Sequence, residues 1–79
     1  MNNTEKLVTA FTEALNIDKS IVNDDLKYQG IMQWDSIAHM VLISQLEATF
    51  EISIETDDVL DMSSFAKAKE IITKYGIQL

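Results

Sequence analysis

The chain has no cysteine, no proline and no arginine, and among its 79 residues only two are glycine and one is histidine. Without cysteine there is no disulfide, no thiolate metal site and no cysteine nucleophile. A single histidine, His39, falls short of the usual zinc ligand sets. Lone Gly30 makes no phosphate-cradling loop, and the absence of proline leaves no obvious linker. Long apolar runs are missing too. The longest stretch without a formal charge, Ser36 to Leu46, is too short to span a bilayer, and Met1 to Lys6 lacks the basic start of a signal peptide. These absences point to a cytoplasmic protein with no membrane insertion.

What is present is ordinary globular composition with an acidic excess. Apolar residues make up 47 % and charged residues 24 %, and the net charge is −7. A cationic surface is needed to hold nucleic acid or an anionic membrane, so neither is an expected partner. Basic patches on other proteins are. The acids concentrate in the middle. Residues 24–61 hold nine acids against Lys27, whereas residues 62–79 hold three lysines against Glu70. Repulsion within the acidic middle predicts that added salt raises the melting temperature.

The apolar spacing is helical over most of the length. A first helix is expected from about Thr4, as its cap, to Leu15, with Leu7, Val8, Phe11, Ala14 and Leu15 on one stripe. Residues 16–35 lack sustained periodicity and are rich in turn formers. Ile17, Ile21, Val22, Leu26, Tyr28, Ile31 and Met32 are expected to pin this long loop to the core, with Trp34 anchoring its end. A second helix opens at Asp35-Ser36, with Leu42, Ile43, Leu46 and Phe50 as its core stripe. Thr56 caps a short turn, Ser63 or Ser64 caps a last helix, and Gly76 ends it. The expected fold is all-α: one domain over residues 1–79, a four-helix bundle of three main helices and one short one, with a long loop between the first and second.

Enzymatic constellations are scarce. Ser36 and His39 are helical neighbours, but Asp35 is adjacent to Ser36 and cannot converge with them as a triad, and nothing supplies an oxyanion hole. Asp57, Asp58 and Asp61 lack the spacing of a calcium loop, so capping and solvation account for them. Ser36 by itself reads as a helix N-cap worth about 1 kcal/mol. More surrounds it, however: an aspartate before it, a long loop upstream, and the most apolar helix of an acidic bundle.

Those surroundings resemble the acyl carrier protein family. The resemblance rests on Asp35-Ser36-Ile37 opening the second helix and, ten residues on, Leu46-Glu47-Ala48-Thr49-Phe50-Glu51-Ile52-Ser53-Ile54. An acidic short helix and Ser64-Phe65 follow. It implies a non-catalytic carrier whose Ser36 is esterified by 4′-phosphopantetheine. The group would come from coenzyme A through a separate phosphopantetheinyl transferase using magnesium, and Asp35 would help contact the transferase or metal. Acyl groups would ride as thioesters on the added thiol and be presented to acyl-activating or acyl-transferring enzymes of fatty acid, polyketide or specialised lipid pathways. By the same resemblance Ile37, Val41, Glu47, Asp57 and Asp58 are candidate partner contacts. Leu42, Ile43, Leu46, Ile54, Val59, Leu60, Phe65 and Ile72 are candidate linings for a sheltered acyl chain, with ordinary core packing the alternative for each. A monomer is expected.

The family's fatty-acid carriers are usually acidic on the exposed face of the second helix. Here Ile37, Val41, Ser44 and Ala48 form an uncharged face, and the motif sits in an unusual setting, Gln33-Trp34-Asp35-Ser36-Ile37-Ala38-His39-Met40. Docking by burial rather than by ion pairs is the expectation, in a specialised rather than a housekeeping carrier. Peptidyl and D-alanyl carriers share the implied fold and modified serine. An unmodified acidic adaptor that binds basic proteins is a further alternative.

Overall fold

In the computed structural model, which describes residues 1–79, four helices follow one another with no strand between them. Helix α1 spans Asn3–Leu15, α2 Ser36–Phe50, α3 Thr56–Asp61 and α4 Phe65–Lys74, and a short 3-10 turn covers Lys19–Ile21. The four-helix all-α bundle with a long first loop is the architecture the apolar spacing predicts. The caps differ in three places. Asn2, not Thr4, caps α1 by accepting from the Glu5 N–H, and the Thr4 hydroxyl turns to the Leu79 carbonyl. Asp35, not Ser36, caps α2, its Oδ1 accepting from the Ala38 N–H at 2.8 Å. Thr56 is the first helical residue of α3, where Glu55 holds the cap position without a side-chain bond. Ser64 caps α4 as expected, and Gly76, at φ 90°, supplies the left-handed step that ends it.

The core is a single cluster fed by α1, α2, α4 and the loops, with Val59 of α3 packed at its edge. Leu7, Phe11 and Leu15 come from α1; Leu42, Ile43, Leu46 and Phe50 from α2; Phe65, Ala68, Ile71 and Ile72 from α4. Helices α1 and α2 form the main helix–helix contact. Edge-to-face aromatics knit the centre: Phe11 meets Trp34 at 5.4 Å and Phe65 at 5.1 Å. Such pairs add about 0.5–1.5 kcal/mol each beyond burial.

The long loop is ordered by both backbone and side chains. Tyr28 N–H donates to the Ser63 carbonyl and Phe65 N–H to the Leu26 carbonyl, an isolated bridge that ties the loop to the start of α4. A tight turn then runs back, Gly30 N–H to Lys27 O and Gln29 N–H to Trp34 O. A Cβ on Gly30 would sit 3.0 Å from the Lys27 carbonyl oxygen, so only glycine fits without a shift. Leu26 is buried, and Ile17, Val22, Tyr28 and Ile31 pack on the core. Ile21 and Met32 do not; Met32 is 94 % exposed. Trp34 is fully buried against Phe11 of α1 and anchors the end of the loop, as its position predicts.

Candidate functional site

Asp35 sets the geometry of the site by capping α2. Because it takes the Ala38 N–H, while its backbone carbonyl takes the His39 N–H, Ser36 becomes the first residue inside the helix. Its side chain is exposed, and no group of the chain hydrogen-bonds its hydroxyl. The N–H groups of Ser36 and Ile37 likewise have no partner in the chain, as the first turn of any helix leaves them. A free hydroxyl beside unpaired N–H groups at the positive end of a helix dipole suits a phosphate ester. The second carboxylate oxygen of Asp35, Oδ2, is also free, and Asp35 is exposed. A depression of about 410 Å³ adjoins it, lined by Gln29, Gly30, Ile31, Met32, Trp34 and Asp35.

Behind Ser36 lies a polar chain that joins three segments. The Trp34 Nε1–H donates to His39 Nδ1 at 2.9 Å, and His39 Nε2 lies 2.8 Å from the Val59 carbonyl. Because Nδ1 accepts, Nε2 carries the proton and donates to Val59. His39 therefore links the loop end, α2 and α3, while Tyr28 packs against its ring at 5.2 Å. This agrees with a half-buried, hydrogen-bonded histidine and leaves no imidazole nitrogen free to act on Ser36.

The remaining candidate residues divide by exposure. Ile37 is 77 % exposed, and Val41, Ser44 and Ala48 are exposed with it, so the outer face of α2 is open and uncharged. Met40 joins this face, which the sequence reading missed because methionine at helical spacing reads equally well as core. Two of the acids are turned inward. Glu47 Oε2 accepts from the Ile54 N–H at 2.8 Å, holding the connector after α2. Asp58 is 6 % exposed, not solvated: Lys74 Nζ donates to its Oδ1 at 2.5 Å and the Tyr75 hydroxyl to its Oδ2 at 2.6 Å. These two bonds hold the Asp58 carboxyl below the ordinary carboxylate value and push Lys74 and Tyr75 up. Asp57 alone of the α3 pair faces solvent.

Among the eight candidate lining residues, Leu42, Ile43, Leu46, Ile54, Phe65 and Ile72 are buried and Val59 is half-buried. Leu60 is 77 % exposed, because the six residues of α3 can turn only one side to the core and Asp58 occupies it.

A free serine at the head of an apolar helix is the arrangement that comparison with known sequences bears on. The family described as "Phosphopantetheine attachment site" matches residues 5–72. The acyl carrier protein of Lactobacillus johnsonii is 30 % identical over 70 residues, covering 89 % of this chain and 88 % of its own. That of Guillardia theta is also 30 % identical over 70 residues, covering 89 % and 86 %. The chain belongs to the acyl carrier protein family. No solved structure gives a significant match. As an acyl carrier protein it is a carrier, and the group it carries is covalent 4′-phosphopantetheine. No helix of this carrier is long and apolar enough to cross a membrane.

Proposed function

We propose that Ser36 is the attachment residue and that the protein serves a specialised acyl-transfer pathway. The observation that carries this reading is the Ser36 hydroxyl, exposed and unbonded at the first position of α2 beside two unpaired N–H groups. These N–H groups and the helix dipole suit the phosphodiester. When bound, phosphopantetheine supplies the thiol that this cysteine-free chain lacks, and thioesters form on it. Asp35 holds the first turn with Oδ1 and offers Oδ2 to a magnesium ion brought by the modifying transferase.

The outer face of α2 supports a specialised role. The one acid of the helix, Glu47, is turned inward to the Ile54 N–H, so Ile37, Met40 and Val41 meet partners without ion pairs of their own. Docking there proceeds by burial, with Asp57 at the side for a basic contact. The cargo is an acyl or aminoacyl group loaded by a separate enzyme.

Incubation with coenzyme A, magnesium and a broad-specificity phosphopantetheinyl transferase should add one arm to the intact mass of the wild type and none to Ser36→Ala. Equal modification of both proteins would remove Ser36 from the account.

A further inference from the structure

The four methionines fall in three environments. Met62 is 1 % exposed in the core. Met1, 77 % exposed, lies against α1, where the Thr9 hydroxyl reaches its sulfur. Met32, at 94 %, and Met40, at 56 %, stand four residues before Ser36 and four after it. Met32 lines the depression that adjoins Asp35, and Met40 shares the uncharged outer face of α2 with Ile37 and Val41. Neither is among the residues that form the core or pack against it. The fold does not depend on their staying apolar; the docking face does.

A thioether is apolar, yet in a chain without cysteine its sulfur is the group a peroxide oxidises most readily. The co-reactant is a hydroperoxide. A sulfur lone pair attacks the terminal peroxide oxygen, the O–O bond breaks and an S–O bond forms. The sulfur gives up two electrons, the peroxide is reduced, and water leaves (or an alcohol, from an alkyl hydroperoxide). The sulfoxide that results is polar and can be reduced back to the thioether. In a core this change disrupts packing; at positions 32 and 40 it alters only the surface.

We propose that Met32 and Met40 form a reversible oxidation site: a hydroperoxide converts them to sulfoxides, the face around Ser36 becomes polar, and partner docking weakens while the fold stays intact. The proposal rests on the reading that partners dock on this face by burial. A sulfoxide oxygen pressed into such a contact gives up water with no donor placed to meet it. Reduction of the two sulfoxides restores the apolar face and the docking.

Met1 and Met62 serve as built-in controls, one exposed elsewhere and one buried. The unmodified chain is treated with hydrogen peroxide, and peptide mass spectrometry assigns each added oxygen. The rate of phosphopantetheine addition at subsaturating carrier is then compared with that of the untreated chain, before and after repair by methionine sulfoxide reductases. Oxygen is expected on Met1, Met32 and Met40 and not on Met62. The circular dichroism spectrum should be unchanged, the rate about tenfold lower, and the loss reversed on repair. Two variants divide the alternatives. Met32→Leu with Met40→Leu, set against its own untreated form, should keep its rate after peroxide, which clears Met1. Met32→Gln with Met40→Gln, polar without oxidation, should be slow from the start. A full rate with both sulfoxides in place, beside a slow glutamine variant, would overturn the oxidation site and leave the docking face. A full rate in the glutamine variant as well would overturn the docking face, and the site with it. A rate lost in the leucine variant after peroxide, or an altered spectrum of the oxidised wild type, would put the damage elsewhere and also overturn the proposal. An untreated chain that takes no arm overturns Ser36 as the attachment residue first, and this site with it.

Discussion

Asp35 and Ser36 divide between them the two tasks that one N-cap serine was expected to perform. The aspartate satisfies the helix and the serine is left free for chemistry. The consequence is measurable. Ser36→Ala removes no hydrogen bond, so its thermal unfolding should match the wild type within about 0.5 kcal/mol, rather than showing the loss of a cap. Asp35→Ala should cost about 1 kcal/mol of stability, whereas Asp35→Asn retains the cap oxygen and most of that stability. If Oδ2 serves the transferase's magnesium, Asp35→Asn should still be modified more slowly than the wild type. The Asp-Ser pair was legible in the sequence as a helix start. Which of the two caps was not, because both side chains are competent caps and the choice depends on the φ and ψ at which the loop delivers the chain.

At the scale of elements, α3 is the segment whose place depends on polar side chains. It has six residues and is held from α2 by His39 on the Val59 carbonyl. From the end of α4 it is held by Lys74 and Tyr75 on Asp58, with the Tyr75 hydroxyl also accepting from the Glu55 N–H. Trp34→Phe exchanges the buried indole for a smaller phenyl ring, so it leaves a void in the core and His39 Nδ1 without its donor. Chemical denaturation should register a loss of about 1–3 kcal/mol. The clasp on Asp58 gives stability a defined pH window. Asp58 is lowered from 3.8, so its contribution is complete above that value and is lost as pH falls through the lowered one. Tyr75 and Lys74 are raised from 10.0 and 10.5, so their contribution is complete below those values and is lost as pH rises through the raised ones. Melting temperature against pH should therefore fall off at both ends. In Asp58→Asn both limbs should flatten and the plateau should lie lower. The helices themselves, their order and the stripe from Leu42 to Phe50 follow from apolar periodicity, which is a local signal. The inward turn of Asp58, the exposure of Leu60 and the Trp34–His39–Val59 chain are contacts between distant segments. A charged residue in a short acidic helix gives no sign in sequence of the lysine that awaits it sixteen residues later.

For the whole molecule, the charge segregation seen along the sequence is partly folded against itself: three of the nine acids of residues 24–61 meet the three lysines of α4. Lysines of α4 meet acids from the acidic middle: Lys69 with Asp24 at 2.6 Å, Lys67 with Asp61 at 3.4 Å, and Lys74 with Asp58. The bundle thus carries some of its own counter-charges, and the two exposed pairs, on Asp24 and Asp61, are each worth roughly 0–1 kcal/mol. The net charge of −7 still repels at long range. Added salt should raise the melting temperature of the wild type modestly and that of Lys69→Gln by more. A wild type that gained as much as the variant would mean that the Asp24 pair contributes nothing. What the pairing leaves open is the uncharged face of α2 around Ser36, and the functional account converges there. The chain has six serines, at positions 20, 36, 44, 53, 63 and 64, and only one should carry the arm. The most direct test is fragmentation mass spectrometry of the wild-type protein after transferase treatment. The phosphopantetheine is expected on Ser36 alone; an arm mapped to any other serine, or fragments showing Ser36 bare in the modified protein, would contradict Ser36 as the attachment residue.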